Sequence, residues 1–459
     1  MLYQKELENR YTCDFVVCGG GFSGFAAAVS AARAGLKTML IEKTGCLGGV
    51  GTNGGVNHLL GAKHVNEDYT LSKCISGLFD ELEARLIASG DAIDPYTIDL
   101  RHNPHGWKKH LGEGLIFDAE AMKYTLEQMC GEAGVQLLYY TDIVDTVRES
   151  GRLTGIVVHN KSGLFTISGR YFADCTGDAD LVAGCGCPVR LGREGDGLMA
   201  PASLELHVEN VDTAQLTEYI ESTGEIRFRK LISQLREQGV WDFPYDIFIC
   251  TQLPKSDVYF VNTIRQVGVN GTDGQSLTDA TVSGRAENFR LFEIMKKYFP
   301  GFANARIREI ANVIGIRETR RIVGAYELTV QDMIDDRAFD DVIAYSGYIW
   351  DLPDPHRPSY QPMEESNVKK ADFTPIPYRC MVPQGIENVI APGRAISVER
   401  DVLGPLREMG PCIAMGQAAG IAASLAAQSN AAFIGVDTAA LRRLIREAGG
   451  IVSADQIVK

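Results

Sequence analysis

Three glycines and one acid carry the clearest chemistry in this chain. Gly19, Gly21 and Gly24 stand in the order G-x-G-x-x-G directly after the apolar run 15–18, and Glu42 follows them by about 20 residues. Gly19 permits a tight strand-to-helix turn, Gly21 leaves bare backbone where a pyrophosphate must approach, and Gly24 lets helix and strand pack closely. Phe22 and Ser23 open the helix, whose free amides and positive dipole end suit an anion. Glu42, closing the next strand, is placed to accept hydrogen bonds from a ribose hydroxyl and repels a 2′-phosphate. The chemistry is the holding of a dinucleotide. Two other clusters are weaker. His102, His105 and His110 with Trp107 lie in RHNPHGWKKH, whose spacing matches no standard zinc pattern and reads as a solvated loop or a lid. Cys185 and Cys187 form a lone C-x-C that reads as two small loop residues. No metal site is expected.

The elements that must position these residues follow from the patterning. An apolar strand at 15–18, an Ala-rich helix at about 23–34 stopped by Gly35, and a strand at 38–41 make one βαβ unit. FDAEAMKYTLEQMCGEAG reads as an amphipathic helix capped by Asp118 and ended by Gly134. After the strand LLYYT, the segments DIVDTVRES, LTGIVVHN and LFTISG alternate as an antiparallel meander broken at Gly151 and Ser162-Gly163. YFADCTG is a further strand, and the meander must return through it to the parallel sheet. Residues 191–373 hold no second glycine fingerprint; ASLELHVENV and SDVYFVNTIRQVGV read as strands and AENFRLFEIMKKYF as a helix. DLPDPHRPSYQPMEESNVKKAD reads as an irregular surface loop. PYRCMVPQ and NVIAPGRAIS read as strands of the first domain, and GPCIAMGQAAGIAASLAAQ as a buried helix beginning at Gly410-Pro411. The expected fold is α/β. A Rossmann-like dinucleotide-binding domain with a central parallel sheet and an antiparallel meander comprises 11–60, 115–190 and 376–459. An inserted α+β substrate or cap domain comprises 61–114 and 191–375.

Composition bounds the function. The chain has 459 residues, enough for two or three domains, with 45% hydrophobic and 23% charged residues, values typical of a soluble globular enzyme. A net charge of −14 argues against nucleic acid and anionic membrane surfaces as partners. No segment reads as a membrane span, and the N-terminal MLYQKELENRYTC lacks the apolar core of a signal peptide, so cytoplasmic residence is the default expectation. Eleven cysteines without a C-x-x-C make no disulfide framework.

Over about residues 11–60, 115–190 and 376–427 the chain resembles FAD-dependent oxidoreductases of the glutathione-reductase-like type. KTGCLGGVGT, with Lys43, Gly48, Gly49 and Thr52, is similar to the loop that brings bare backbone against the ribityl and pyrophosphate part of FAD. ADCTGDADL resembles the strand end whose Thr176 and Gly177 lie near the nucleotide, with the backbone near Ile143 against the adenine. NVIAPGR, with Gly393 and Arg394, and MGPCIAMGQAAG, with Gly410, Cys412 and Ile413, resemble the last strand and helix, whose N-terminus faces the pyrimidine edge of the flavin. GIRETRRIVGAYELTVQDM, PYRCMVP and REMGPCIAMGQAAG together are similar to a large bacterial family called FAD-dependent oxidoreductase. The resemblance implies FAD as the cofactor. Two departures narrow it. A pyridine-nucleotide disulfide reductase carries a second G-x-G-x-x-G and a redox cysteine pair, and a flavin hydroxylase carries Gly-Asp where this chain has APGR, with Arg394 in place of the Asp.

Flavin chemistry needs an acid or base for a proton and often a cation to orient an anionic group. Arg317, with Glu318, Arg320 and Arg321, suits a carboxylate or the flavin diphosphate, or else a structural ion-pair network joining two domains. His58, after NGGVN, is open to three readings: proton transfer, covalent flavin attachment or a plain hydrogen-bonded histidine. Tyr378 stands as a candidate near the ring or as a core residue. The implied function is hydride transfer between a small organic substrate and the flavin, without an NAD(P)-binding domain, so an external electron donor or acceptor is required. A homo-oligomer is compatible with this. The rivals are a flavoprotein subunit of a larger electron-transfer complex and a non-redox user of the dinucleotide, as in thiazole-forming relatives of the fold.

Overall fold

The computed structural model describes residues 4–100, 112, 114–360, 362 and 372–457. His102, His105, Trp107 and His110 lie outside them. The strand Asn9–Cys18 founds the main sheet; its last four residues are buried, as a central parallel strand requires. Thr38–Ile41 pairs parallel along one edge, with Phe15 opposite Thr38, and Gln136–Leu138 extends the sheet beyond it. Gly163–Asp174 runs parallel along the other edge, ending with Asp174 opposite Cys18. The meander Asp142–Glu149, Arg152–Asn160 and Gly163–Asp174 is antiparallel and completes a mixed sheet with a mostly parallel centre.

YFAD, expected as a strand of its own, is the end of the 12-residue strand Gly163–Asp174. The first half of that strand pairs with Arg152–Asn160 and the last part with Val389–Ile390, so its outer edge changes partner midway. Asn388 fills the change-over. Its Oδ1 accepts from Leu153 N at 2.9 Å, and its Nδ2 donates to Leu153 O and Arg170 O at 2.8 Å each, so these backbone groups find partners where the ladder changes.

Side chains alternate across the sheet. Phe15, Val17, Leu40 and Ala173 face the helices Phe22–Arg33 and Met409–Ser429, while Val16, Met39, Ile41 and Phe172 pack on the other side with Leu181 and Val182. Met409–Ser429 is long and apolar enough to cross a membrane, yet its most apolar window is 94% buried inside the molecule, so it is a core helix here. A Cβ on Gly416 or Gly420 would collide with the carbonyl oxygens of Ser23 or Ala27, so the two core helices touch backbone to backbone. Helix Ala119–Ala133 begins under Asp118, which accepts from Glu120 N and Ala121 N, and ends at Gly134 with φ +79°.

A second core lies over this one. The antiparallel strands Cys250–Gln252, Tyr259–Val261, Leu206–Glu209 and Arg306–Ile310 form its sheet, and the helices Thr213–Thr223, Arg229–Glu237 and Gly274–Tyr298 enclose an aromatic cluster of Phe228, Trp241, Phe248, Phe299 and Phe302. One expectation is corrected: Tyr378–Met381 is a 3₁₀ turn, and the adjoining strand Thr374–Pro377 pairs with Val342–Ser346 outside the main sheet. Pro375 and Pro377 have no amide hydrogen to donate, which confines this segment to a short two-stranded ladder. Residues 351–360 are irregular.

Candidate active site

The three fingerprint glycines do different work. Gly19 has φ +103°, and a Cβ there would collide with the Cys175 carbonyl; a Cβ on Gly24 would collide with the Gly19 carbonyl. Both are needed by the fold. Gly21 has φ −65°, and a Cβ there would meet nothing within 4 Å. Its bare face opens on a cavity of about 920 Å³. A second glycine turn closes on it: Gly48 N donates to Gly20 O at 2.9 Å, and a Cβ on Gly49 would sit 3.2 Å from Gly21 Cα. Two side-chain-free turns therefore meet at a helix N-terminus, whose first amides the helix itself leaves unused.

Glu42 ties the turns together. Its Oε2 accepts from Gly20 N at 2.6 Å, and its Oε1 accepts from Thr44 N and Thr44 Oγ1 at 2.8 Å each. A carboxylate has about four acceptor sites, so one remains for a ribose hydroxyl in the cavity that Glu42 lines. The open notch at Gly21 and this spare acceptor fit the pyrophosphate and ribose of FAD.

Of the cofactor contacts nominated from sequence, all but Gly24, Thr52, Gly393, Gly410 and Ile413 line the cavity. Those five stand behind its wall. Thr52 Oγ1 donates to Leu47 O at 2.6 Å and holds the second glycine turn. Gly393, at φ +105°, passes so close to Ser23 that a Cβ would sit 2.9 Å from its Oγ. Gly410 N donates to Leu60 O at 2.9 Å, and Pro411 has no amide hydrogen, so this helix end offers the cavity fewer donors than its place in the motif implies. Ile413 is fully buried in the main core.

His58, on the strand His58–Leu59 paired with Leu115–Phe117, lines the cavity and is 5% exposed. Tyr378 does not. It is buried in the main core and its hydroxyl donates to Phe433 O at 2.8 Å, which corrects its nomination as a catalytic residue. Burial pushes the Cys412 thiol up to about 12, so at neutral pH it is a protonated wall residue.

The G-I-R-E-T-R-R motif divides. Glu318 is fully buried, with Oε1 accepting from Arg321 Nη1 and Arg400 Nε at 2.9 Å each, and Oε2 accepting from Arg400 Nη2 and Ala200 N at 2.9 Å each. Arg320 reaches Asp180 Oδ1 at 2.8 Å. Glu318, Arg320 and Arg321 thereby tie the motif to Asp180, Ala200 and Arg400. Only Arg317 of the motif's arginines turns into the cavity, where its Nη1 donates to Pro201 O at 2.6 Å and to Ser203 Oγ at 2.9 Å. Arg394 donates from Nη2 to Asp178 Oδ1 at 2.7 Å, so an acid does stand beside the APGR strand end, supplied by the strand end 175–178 instead. Burial raises Asp178, but Arg394 and the Thr319 hydroxyl outweigh it and hold the carboxyl below its usual range.

At the cap end the cavity meets charges that the sequence reading missed. Glu205, Arg265 and Arg407 line it with Arg317. Glu205 is 1% exposed and neither of its carboxyl oxygens has a hydrogen-bond partner. Burial pushes this carboxyl up against the pull of Arg317 and Arg265, and burial lowers Arg317, with Arg265 and Arg407 adding to the effect. The neighbouring His207 clamps the cap strand to the second glycine turn, its Nε2 donating to Gly55 O at 2.8 Å. Among the described residues no group of three or more His, Cys, Asp or Glu is placed to hold a metal ion.

Comparison with known proteins gives the family. The chain is 26% identical over 222 residues to thiamine thiazole synthase of Methanococcus aeolicus, covering 47% of this chain and 72% of that protein. It is 48% identical over 58 residues to dihydrolipoyl dehydrogenase of Trypanosoma brucei brucei, a match spanning 12% of each. Among solved structures, a geranylgeranyl bacteriochlorophyll reductase-like protein from Thermoplasma acidophilum aligns over 95% of this chain and 84% of that one, with 13% identity and a TM-score of 0.45. Residues 14–445 match the family described as FAD dependent oxidoreductase, and with nearly the whole chain inside that match the protein belongs to this family and is an FAD-dependent enzyme.

Proposed function

We propose that the protein transfers a hydride between a small organic substrate and FAD, in the cleft between the Rossmann-type sheet and the cap, without a nicotinamide-binding domain of its own. The observation that carries this reading is the continuity of the cavity. One space of about 920 Å³ runs from the bare backbone at Gly21 to Glu205, Phe260 and Arg265 of the cap, so a cofactor at one end and a substrate at the other share it. Bound FAD supplies a two-electron acceptor or donor. Gly21, Gly48, Gly49 and Glu42 hold its nucleotide half, with Ile143, Thr176 and Arg394 along the same wall. His58 or Glu205 takes or gives the substrate proton, each being a titratable side chain in a largely dry wall. The cap covers the reacting centre and limits water there. The lack of a G-x-G-x-x-G in residues 191–373 and an antiparallel cap sheet support the absence of a second dinucleotide site.

Anaerobic mixing of the FAD-loaded protein with small C–H donors, followed by flavin absorbance, tests the reading. Bleaching that slows when the donor carbon is deuterated supports it. Bleaching by NADPH alone, followed by entry of labelled oxygen into a product, overturns it in favour of a monooxygenase. The likeness to a thiamine thiazole synthase favours a second reading, in which the dinucleotide is consumed. Recovery of intact FAD, one per chain, after many turnovers decides against that one.

A further inference from the structure

We infer that the cap end of the cleft is a carboxylate subsite built on Arg265, and that the substrate is an organic acid with an apolar body. The inference rests on the cleft reading above and adds the chemical class of what enters it. Arg265 lines the cavity, is 7% exposed, and makes no hydrogen bond or ion pair with the described residues; its Nε is orphaned. A buried guanidinium without hydrogen bonds is costly, and a ligand that accepts from it relieves the cost. The two neighbouring arginines are already engaged. Arg317 is held by Pro201 O, Ser203 Oγ and, at 3.4 Å, Asn262 Oδ1, whereas Arg407 is paired with Glu408 at 3.0 Å and Asp351 at 3.4 Å. Arg265 and Arg317 therefore have Glu205 as the nearby acid that pairs with no other cation, and its oxygens hydrogen-bond to neither of them.

Charge selects the ligand. Arg265, Arg317 and Arg407 against Asp351 and Glu408 leave a surplus of one positive charge when Glu205 holds its proton, which a monoanion cancels. Asp351 and Glu408 line the same end and repel a polyanion such as a phosphate ester. A carboxylate also matches the flat fork of a guanidinium. Ile247, Ile249, Phe260 and Ile349 line the wall around this point and provide an apolar seat for the rest of the acid.

The test is calorimetric titration and thermal unfolding of the FAD-loaded protein with benzoate and hexanoate, each against its neutral amide, and with inorganic phosphate. We expect at least one of the two carboxylates to bind at least tenfold tighter than its amide and to raise Tm. Arg265→Gln should erase that preference with flavin content unchanged, and Arg265→Lys should restore part of it. Amides that bind as well as their acids, phosphate that binds tighter than either acid, or an Arg265→Gln variant that keeps its flavin and the preference would each overturn the inference. Loss of flavin from the wild-type protein would instead strike the cleft reading beneath it, and absorbance separates the two.

Discussion

Gly21→Val separates folding from cofactor binding, and the structure sets both magnitudes. Gly21 has φ −65° and ψ −178°, a conformation open to any L-residue, and a Cβ there has no protein atom within 4 Å. Removing a glycine from the unfolded chain stabilises by about 0.4–1 kcal/mol. Gly21 is also the N-cap of helix Phe22–Arg33, and losing a tolerated cap residue costs about 1 kcal/mol. These nearly cancel, so the cofactor-free variant should unfold within about 1 kcal/mol of cofactor-free wild type. The isopropyl group, however, enters the open cavity beside Gly21. A ligand at about 1,000 times its Kd stabilises by about 4 kcal/mol, and that increment should vanish. The assay is thermal unfolding with and without added FAD, alongside flavin absorbance of the purified protein. A Gly21→Val protein that folds, stays yellow and gains the wild-type increment from FAD would refute the placement of the pyrophosphate.

Three further outcomes follow from the same geometry. Glu318→Gln leaves Arg321 and Arg400 facing each other without their acid, and breaking a buried pair costs about 3–5 kcal/mol; a loss below about 1 kcal/mol in urea unfolding would show that the fold is not held by this network. Tyr378→Phe should leave turnover unchanged and cost about 1–3 kcal/mol, because Phe433 O loses its donor in the core; a large fall in turnover at unchanged stability would return Tyr378 to the chemistry. Glu205 titrates higher in the fold than in the unfolded chain, so the fold holds a proton that the unfolded chain releases. Its contribution is complete below the unfolded carboxyl value of about 4.3 and is lost as pH rises toward the folded value. The unfolding midpoint of Glu205→Gln relative to wild type should therefore climb with pH above about 4.3, and a difference that stays flat or shrinks would contradict the burial of that carboxyl.

The glycine turn at one end of the cavity and the elements around it were legible in the sequence because their signals are local. Gly19, Gly21 and Gly24 lie within six residues, Asp118 and Gly134 bracket their own helix, and Gly151 and Ser162-Gly163 mark the turns of the meander. What failed was non-local. Tyr378 follows an apolar strand pattern, but whether its ring meets a cofactor or Phe433 depends on a loop 55 residues away. Gly410 sits at a helix start, yet Leu60 has already taken its amide. Glu205 alternates with Leu204 and Leu206, which reads as the wet face of an ordinary strand; alternation reports polarity and cannot distinguish bulk water from a closed cleft. Arg265 gives no periodic signal at all, and only the fold brings it beside Arg317.

The central claim is that the bare turn at Gly21 holds FAD. Denaturing the purified wild-type protein and identifying the released small molecule by chromatography and mass tests it most directly. We expect one FAD per chain, lost in Gly21→Val and retained in Tyr378→Phe. A wild-type protein that releases no flavin, takes up none when FAD is added and shows no rise in Tm with it would contradict the account.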